Sequence, residues 1–86
     1  MRFTTYILIN EKRTRTYVGQ TRNLEERLRL HNASRVKSTC DHGPWMLLYR
    51  EEHPTRAEAM SREKWFKSRT GRKQIQDLLL ERWPSG

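Results

Sequence analysis

The sequence predicts an α+β fold, a small three-stranded sheet flanked by helices in the order β-β-α-β-α-α. Three observations predict it. Two stretches rich in β-branched and aromatic residues, 3–9 and 14–18, are separated by a short polar turn. A third stretch, 45–50, alternates Trp45, Leu47, Tyr49 against Met46, Leu48, Arg50. Asn23 and Thr55 each stand three residues before a glutamate, Glu26 and Glu58, which is the pattern that opens a helix. Strands and helices that do not alternate regularly indicate an α+β arrangement around one core.

The first strand, residues 3–9, gives way to the polar turn Asn10-Glu11-Lys12-Arg13. A four-residue loop would pair Ile9 with Thr14, Leu8 with Arg15, Ile7 with Thr16 and Tyr6 with Tyr17; in that register the two phenols project side by side, and a slip of one residue would make them diverge. The second strand ends at Tyr17-Val18-Gly19. Glycine there lets a phosphate or a helix-borne arginine come close to Tyr17. Asn23 opens a helix over residues 24–32 in which Leu24, Leu28 and His31 share a narrow sector with Arg27 at its edge. An arginine and a histidine aimed near a core are costly to bury without partners.

Residues 33–44 show no period and read as a mobile loop. Its Cys40 and His42 lack the partner spacing of a zinc site. Thr55 opens the second helix, which is expected to run to about residue 69 and to end where Thr70-Gly71 breaks it. Ala59, Met60, Glu63, Phe66 and the stem of Lys67 share one face of that helix. Glu63 sits near its middle, where an apolar residue is expected. It is either a structural ion-pair partner of Arg27 or Arg62, or a metal ligand. A third helix covers 72–82 with Ile75, Leu78 and Leu79 as its packing face. Trp83 to Gly86 reads as a frayed end, which puts the domain at 1–83 and a tail at 84–86.

Eighty-six residues make one domain with a small core. No apolar run is long enough to span a membrane, and a lone cysteine cannot close an internal disulfide, so a cytoplasmic protein is expected. Eighteen Lys and Arg against ten Asp and Glu give a net charge of +8, which favours a polyanionic partner, nucleic acid first. Charge alone does not separate a nuclease from a passive binder.

Tyr17-Val18-Gly19 with Tyr6 eleven residues upstream, then Asn23 to Leu28 leading into His31-Asn32, resembles the GIY-YIG nuclease superfamily. Pro44-Trp45, Thr55 to Ala59, Arg62-Glu63-Lys64, Lys67-Ser68 and Gly71-Arg72 extend the likeness to its small stand-alone members. The resemblance implies catalytic roles for Tyr6 and Tyr17. It implies a phosphate contact for Arg27, a place near the active site for His31, and divalent-metal binding by Glu63. The implied cofactor is Mg²⁺ or Mn²⁺. The implied activity is metal-dependent hydrolysis of phosphodiester bonds in DNA, with RNA not excluded and no membrane partner. The sequence departs from the family at Thr4 and Thr5, which replace Gly and Ile of the first motif, and at Gln20, where active nucleases often carry a cation.

The chemistry agrees with those roles, because phosphodiester hydrolysis needs a deprotonated nucleophile, a cation against the developing phosphorane charge and help for the leaving oxygen. A tyrosine base, with an ordinary pKa near 10, needs a neighbouring cation to act at neutral pH. Arg22, Arg29, Arg35, Lys37 and Arg72 are the expected phosphate contacts around the site. A nucleic-acid-binding module of the same fold without turnover is the alternative.

Overall fold

The computed structural model describes residues 2–37 and 39–84. Strands β1 (Phe3–Asn10), β2 (Thr16–Thr21) and β3 (Trp45–His53) form one sheet of order β2-β1-β3, antiparallel throughout. Helices α1 (Leu24–Asn32), α2 (Arg56–Phe66) and α3 (Arg69–Arg82) complete the expected β-β-α-β-α-α order. Central β1 is buried from Thr4 to Asn10, and its side chains alternate between two layers of core. Ile7 and Ile9 pack with Val18, Leu48, Phe66 and Ile75 on the face covered by α2 and α3. Tyr6 and Leu8 pack with Trp45, Leu24 and Leu28 on the face covered by α1.

The hairpin register differs from the expected one by two residues. Ile9 faces Thr16, Leu8 faces Tyr17, and Tyr6 faces Gly19. Asn10 is the reason. Its carboxamide oxygen accepts from the backbone N–H of Thr14 and of Arg15, both at 2.9 Å, and its amide nitrogen donates to Thr14 Oγ1. These bonds, with Arg13 at φ 56°, hold a longer turn than a four-residue count allows. A slip of two preserves the face, so Tyr6 and Tyr17 remain on one side of the sheet as diagonal neighbours.

Other boundaries also move. β3 continues three residues beyond Arg50, pairing Phe3 with His53, while Glu51 joins Tyr49, His53 and Arg62 along the strand end. α2 stops at Phe66, and Ser68 caps α3 by accepting from the N–H of Gly71. Gly71 therefore does not break a helix. It lies in the first turn of α3, where a Cβ would overlap the Trp65 carbonyl and the Phe66 backbone, so its role is close contact at the α2–α3 corner. Met60, expected on the buried face of α2, is 52% exposed.

Trp83 is not frayed. It packs against the core with the guanidinium of Arg13 4.9 Å and that of Arg82 5.6 Å from its ring. Ser85 and Gly86, the end of the expected tail, lie outside the described residues. The two ends of the loop after α1 are tied together: Asn32 brackets the Trp45 backbone, accepting from its N–H at 2.6 Å and donating to its carbonyl at 3.1 Å. Trp45 Nε1 donates to the Thr39 carbonyl, and Thr39 is buried.

Candidate active site

The α1 face of the sheet collects the two phenols. Tyr6, on β1, is wholly buried, and Tyr17, on β2, is partly exposed, with ring centroids 6.1 Å apart. Gly19 creates the room for both. A Cβ there would stand 2.6 Å from Tyr6 Oη and 2.9 Å from Tyr17 Cε1, too close for any side chain. The glycine is thus needed by the phenols themselves, a more local reason than access for a phosphate.

α1 delivers His31 and Arg27 because Asn23 caps the helix through the Glu26 N–H at 3.1 Å and fixes its phase. His31 is 1% exposed, and its two ring nitrogens meet Tyr6 Oη at 2.9 Å and Thr39 Oγ1 at 2.8 Å. Donor accounting orients the network. Thr39 Oγ1 donates to the Val36 carbonyl at 3.3 Å, so it accepts from His31 Nδ1–H, which leaves His31 Nε2 to accept from the Tyr6 hydroxyl. Burial, helped by the charge of Arg27, pushes His31 down to about 4, so the ring is neutral and able to accept at physiological pH. The cost of a core histidine noted in the sequence is met by these partners. Thr39, eight residues downstream in an aperiodic loop, gave no sequence signal as one of them.

Burial pushes the Tyr6 phenol up to about 12, opposed by Arg27 and reinforced by the charges of Tyr17 and Glu63. Tyr6 therefore holds its proton through neutral pH. The half-buried Arg27 guanidinium stands beside both phenols, and its own pKa is raised chiefly by Tyr6.

Glu63 belongs to α2 on the other layer, near enough to act on Tyr6 through its charge. Neither Arg27 nor Arg62 is its ion-pair partner. Glu63 Oε2 takes Lys67 Nζ at 2.8 Å, one turn along α2, while Arg62 binds Glu51 at 2.7 Å. Among the described residues the second carboxylate oxygen of Glu63 has no protein hydrogen bond, and no group of three or more His, Cys, Asp or Glu gathers there. One half-buried carboxylate whose side already attracts a cation fits Mg²⁺ or Mn²⁺, hard ions that keep most of their water and take phosphate oxygens. It does not fit zinc, which takes three or four protein ligands.

The expected phosphate contacts divide. Arg22, Arg35 and Lys37 are exposed on the loops flanking α1. Arg29 is bound to Glu26 at 2.6 Å on the exposed face of α1. Arg72 stands apart, on α3, lining a cleft with Arg13, Arg15 and Lys67. Sequence reasoning missed Arg13 and Arg15 because they read as ordinary turn and strand-edge residues. Gln20, three residues after Tyr17, alternates to the opposite sheet face, so it points away from the phenols, and its buried carboxamide oxygen has no partner among the described residues.

A family model described as the GIY-YIG catalytic domain matches residues 2–76. A UPF0213 protein of Streptococcus sanguinis is 44% identical over 55 residues, 63% of this chain and 63% of that protein, so the chain matches less than two thirds of that relative's length. A UPF0213 protein of Lactococcus lactis is 40% identical over 76 residues, 87% of this chain and 72% of that protein. The solution NMR structure of a UPF0213 protein from Bacillus halodurans superposes with a TM-score of 0.54 at 30% identity, covering 91% of this chain and 85% of that one. No helix among the described residues is long and apolar enough to cross a membrane.

Proposed function

The chain belongs to the GIY-YIG catalytic-domain family, a nuclease superfamily, and from that premise we propose that it is a divalent-metal-dependent endonuclease hydrolysing phosphodiester bonds in DNA. The observation that carries this reading is the convergence of Tyr17, Arg27 and the Tyr6–His31 pair on one face of the sheet. Tyr17 is the phenol that solvent reaches. As general base it takes the proton of the attacking water as the water oxygen bonds to phosphorus and the bond from phosphorus to the 3′ oxygen breaks.

Arg27 lays its fork of donors against the non-bridging oxygens, whose charge grows in the transition state. Tyr6 positions rather than reacts: its proton is committed to His31, which holds the ring behind Tyr17 and keeps the second phenol neutral beside Arg27. Glu63 would hold the metal, whose chemistry when bound is to neutralise the departing oxygen. Lys67, which pairs with that carboxylate at 2.8 Å, would be free for a phosphate if the carboxylate held a metal instead.

The test is incubation of the protein with branched, flapped, single-stranded and duplex DNA and with RNA, each with Mg²⁺, with Mn²⁺ and with chelator. Metal-dependent scission of DNA supports the reading. Salt-sensitive binding without scission in either metal replaces it with a binding module of the same fold.

A further inference from the structure

A cleft of about 570 Å³, lined by Tyr17 and Lys67 and otherwise by residues with no role assigned in the reaction, opens between the β1–β2 hairpin and the α2–α3 corner. Tyr17 forms one wall. Its rim is cationic, with Arg13, Arg15, Lys67 and Arg72, and among the described residues no aspartate or glutamate lines it. Neither Arg15 nor Arg72 has a carboxylate partner among the described residues, so their charge is available to a ligand. Its floor is apolar, lined by the buried Phe66 and Ile75 and by Leu79, with Gln76 beside them. The volume lies within the roughly 300–1,000 Å³ of sites that enclose a small molecule. An apolar floor under a guanidinium rim suits one chemistry in particular, a flat heteroaromatic ring carrying phosphates.

We propose that this cleft receives one unpaired nucleotide of the bound strand, its base against the floor and Tyr17, its flanking phosphates on Arg15 and Arg72. The DNA at the reacting bond is then single-stranded. The inference rests on the nuclease reading only for placing the reacting bond at Tyr17. A duplex keeps its bases stacked inward and offers the cleft only its backbone, so it enters only by unstacking. A single strand presents a base for each phosphate, which is how apolar platforms within basic grooves bind it without sequence preference.

The test is fluorescence anisotropy with the full chain at fixed moderate salt and in chelator, so that no strand is cut. Three probes of equal length are compared: a single-stranded DNA, the same sequence as a blunt duplex, and a strand of the same phosphate count in which every base is replaced by hydrogen. The single strand is expected to bind at least about tenfold more tightly than either of the others, a modest return for one stacked base. Arg72→Glu is expected to lower single-strand affinity about tenfold or more, and Arg56→Glu, exposed at the start of α2 and at the far end of that helix from the cleft, less than about twofold. Thermal melting of both variants verifies that they fold. Equal binding of the baseless strand, equal binding of the duplex, or equal effects of the two substitutions each overturn the proposal. Because binding is read without metal, a failure to cleave in Mg²⁺ would count against the nuclease reading and leave this one standing.

Discussion

Replacing His31 by glutamine isolates the buried network behind the phenols. The wild-type ring has an ordinary pKa of 6.5 when unfolded and about 4 when folded, because burial penalises its charged form. Between those values the unfolded chain binds a proton that the folded chain refuses. Stability therefore rises with pH across this window: it is at its full value above about pH 6.5 and falls as the pH drops toward 4. At about 1.4 kcal/mol per pH unit, the loss is roughly 3 kcal/mol, a large part of the 5–15 kcal/mol typical of a domain. Glutamine keeps an acceptor for the Tyr6 hydroxyl near the position of Nε2 and cannot take up a proton. Urea unfolding followed by tryptophan fluorescence at intervals from pH 4 to 7.5 reads both proteins. Carboxylates with lowered pKa values, such as Glu51, destabilise both alike as they protonate and cancel in the comparison. The wild type is expected to lose about 3 kcal/mol more than His31→Gln over this range. Parallel curves would refute the claim that His31 is neutral, buried and bonded to Tyr6.

Two further substitutions test neighbouring parts of the account. Tyr17→Phe is expected to lose roughly 10²–10⁴-fold in cleavage rate at saturating metal, whereas Tyr6→Phe loses about tenfold and keeps the wild-type pH dependence, because Tyr6 stays protonated through neutral pH. If instead Tyr6→Phe erases the pH dependence and Tyr17→Phe keeps it, the two roles must be exchanged. Gly71→Ala is expected to destabilise by about 2 kcal/mol or more in urea unfolding despite the ~1 kcal/mol that alanine ordinarily adds in a helix, since its Cβ meets backbone that cannot move aside. An unchanged or raised midpoint would show that the corner opens freely.

How far the sequence predicts this structure depends on whether the signal is local. The α1 and α2 N-termini are legible because a cap is read from residues three apart, and both caps form through the expected N–H groups. The shared face of Tyr6 and Tyr17 is legible because strand parity survives a slip of two residues. The register itself is not, since it is set by the carboxamide of Asn10 reaching into the turn. Gly71 reads as a helix breaker because composition records its missing side chain and not the Trp65 carbonyl that fills the space. Glu63 and the stem of Lys67 are placed on one helix face by their spacing, yet the ion pair is expected with Arg27 or Arg62, because a nearby arginine reads as a stronger partner than a lysine one turn along the same helix. Thr39 and the cationic rim around Arg15 depend on contacts between distant segments, so no periodicity announces them.

The measurement that bears most directly on the central claim is cleavage of a single-stranded DNA by wild type and Glu63→Gln, in Mg²⁺ and in chelator, with binding of the same strand measured beside it. The substitution keeps the side-chain volume and removes the only carboxylate charge assigned to the metal. The account predicts scission by the wild type in Mg²⁺ and none in chelator. It predicts no scission by Glu63→Gln, whose affinity for the strand stays within about twofold and whose fold is retained. Undiminished cleavage by the variant, or wild-type cleavage indifferent to chelator, would contradict it.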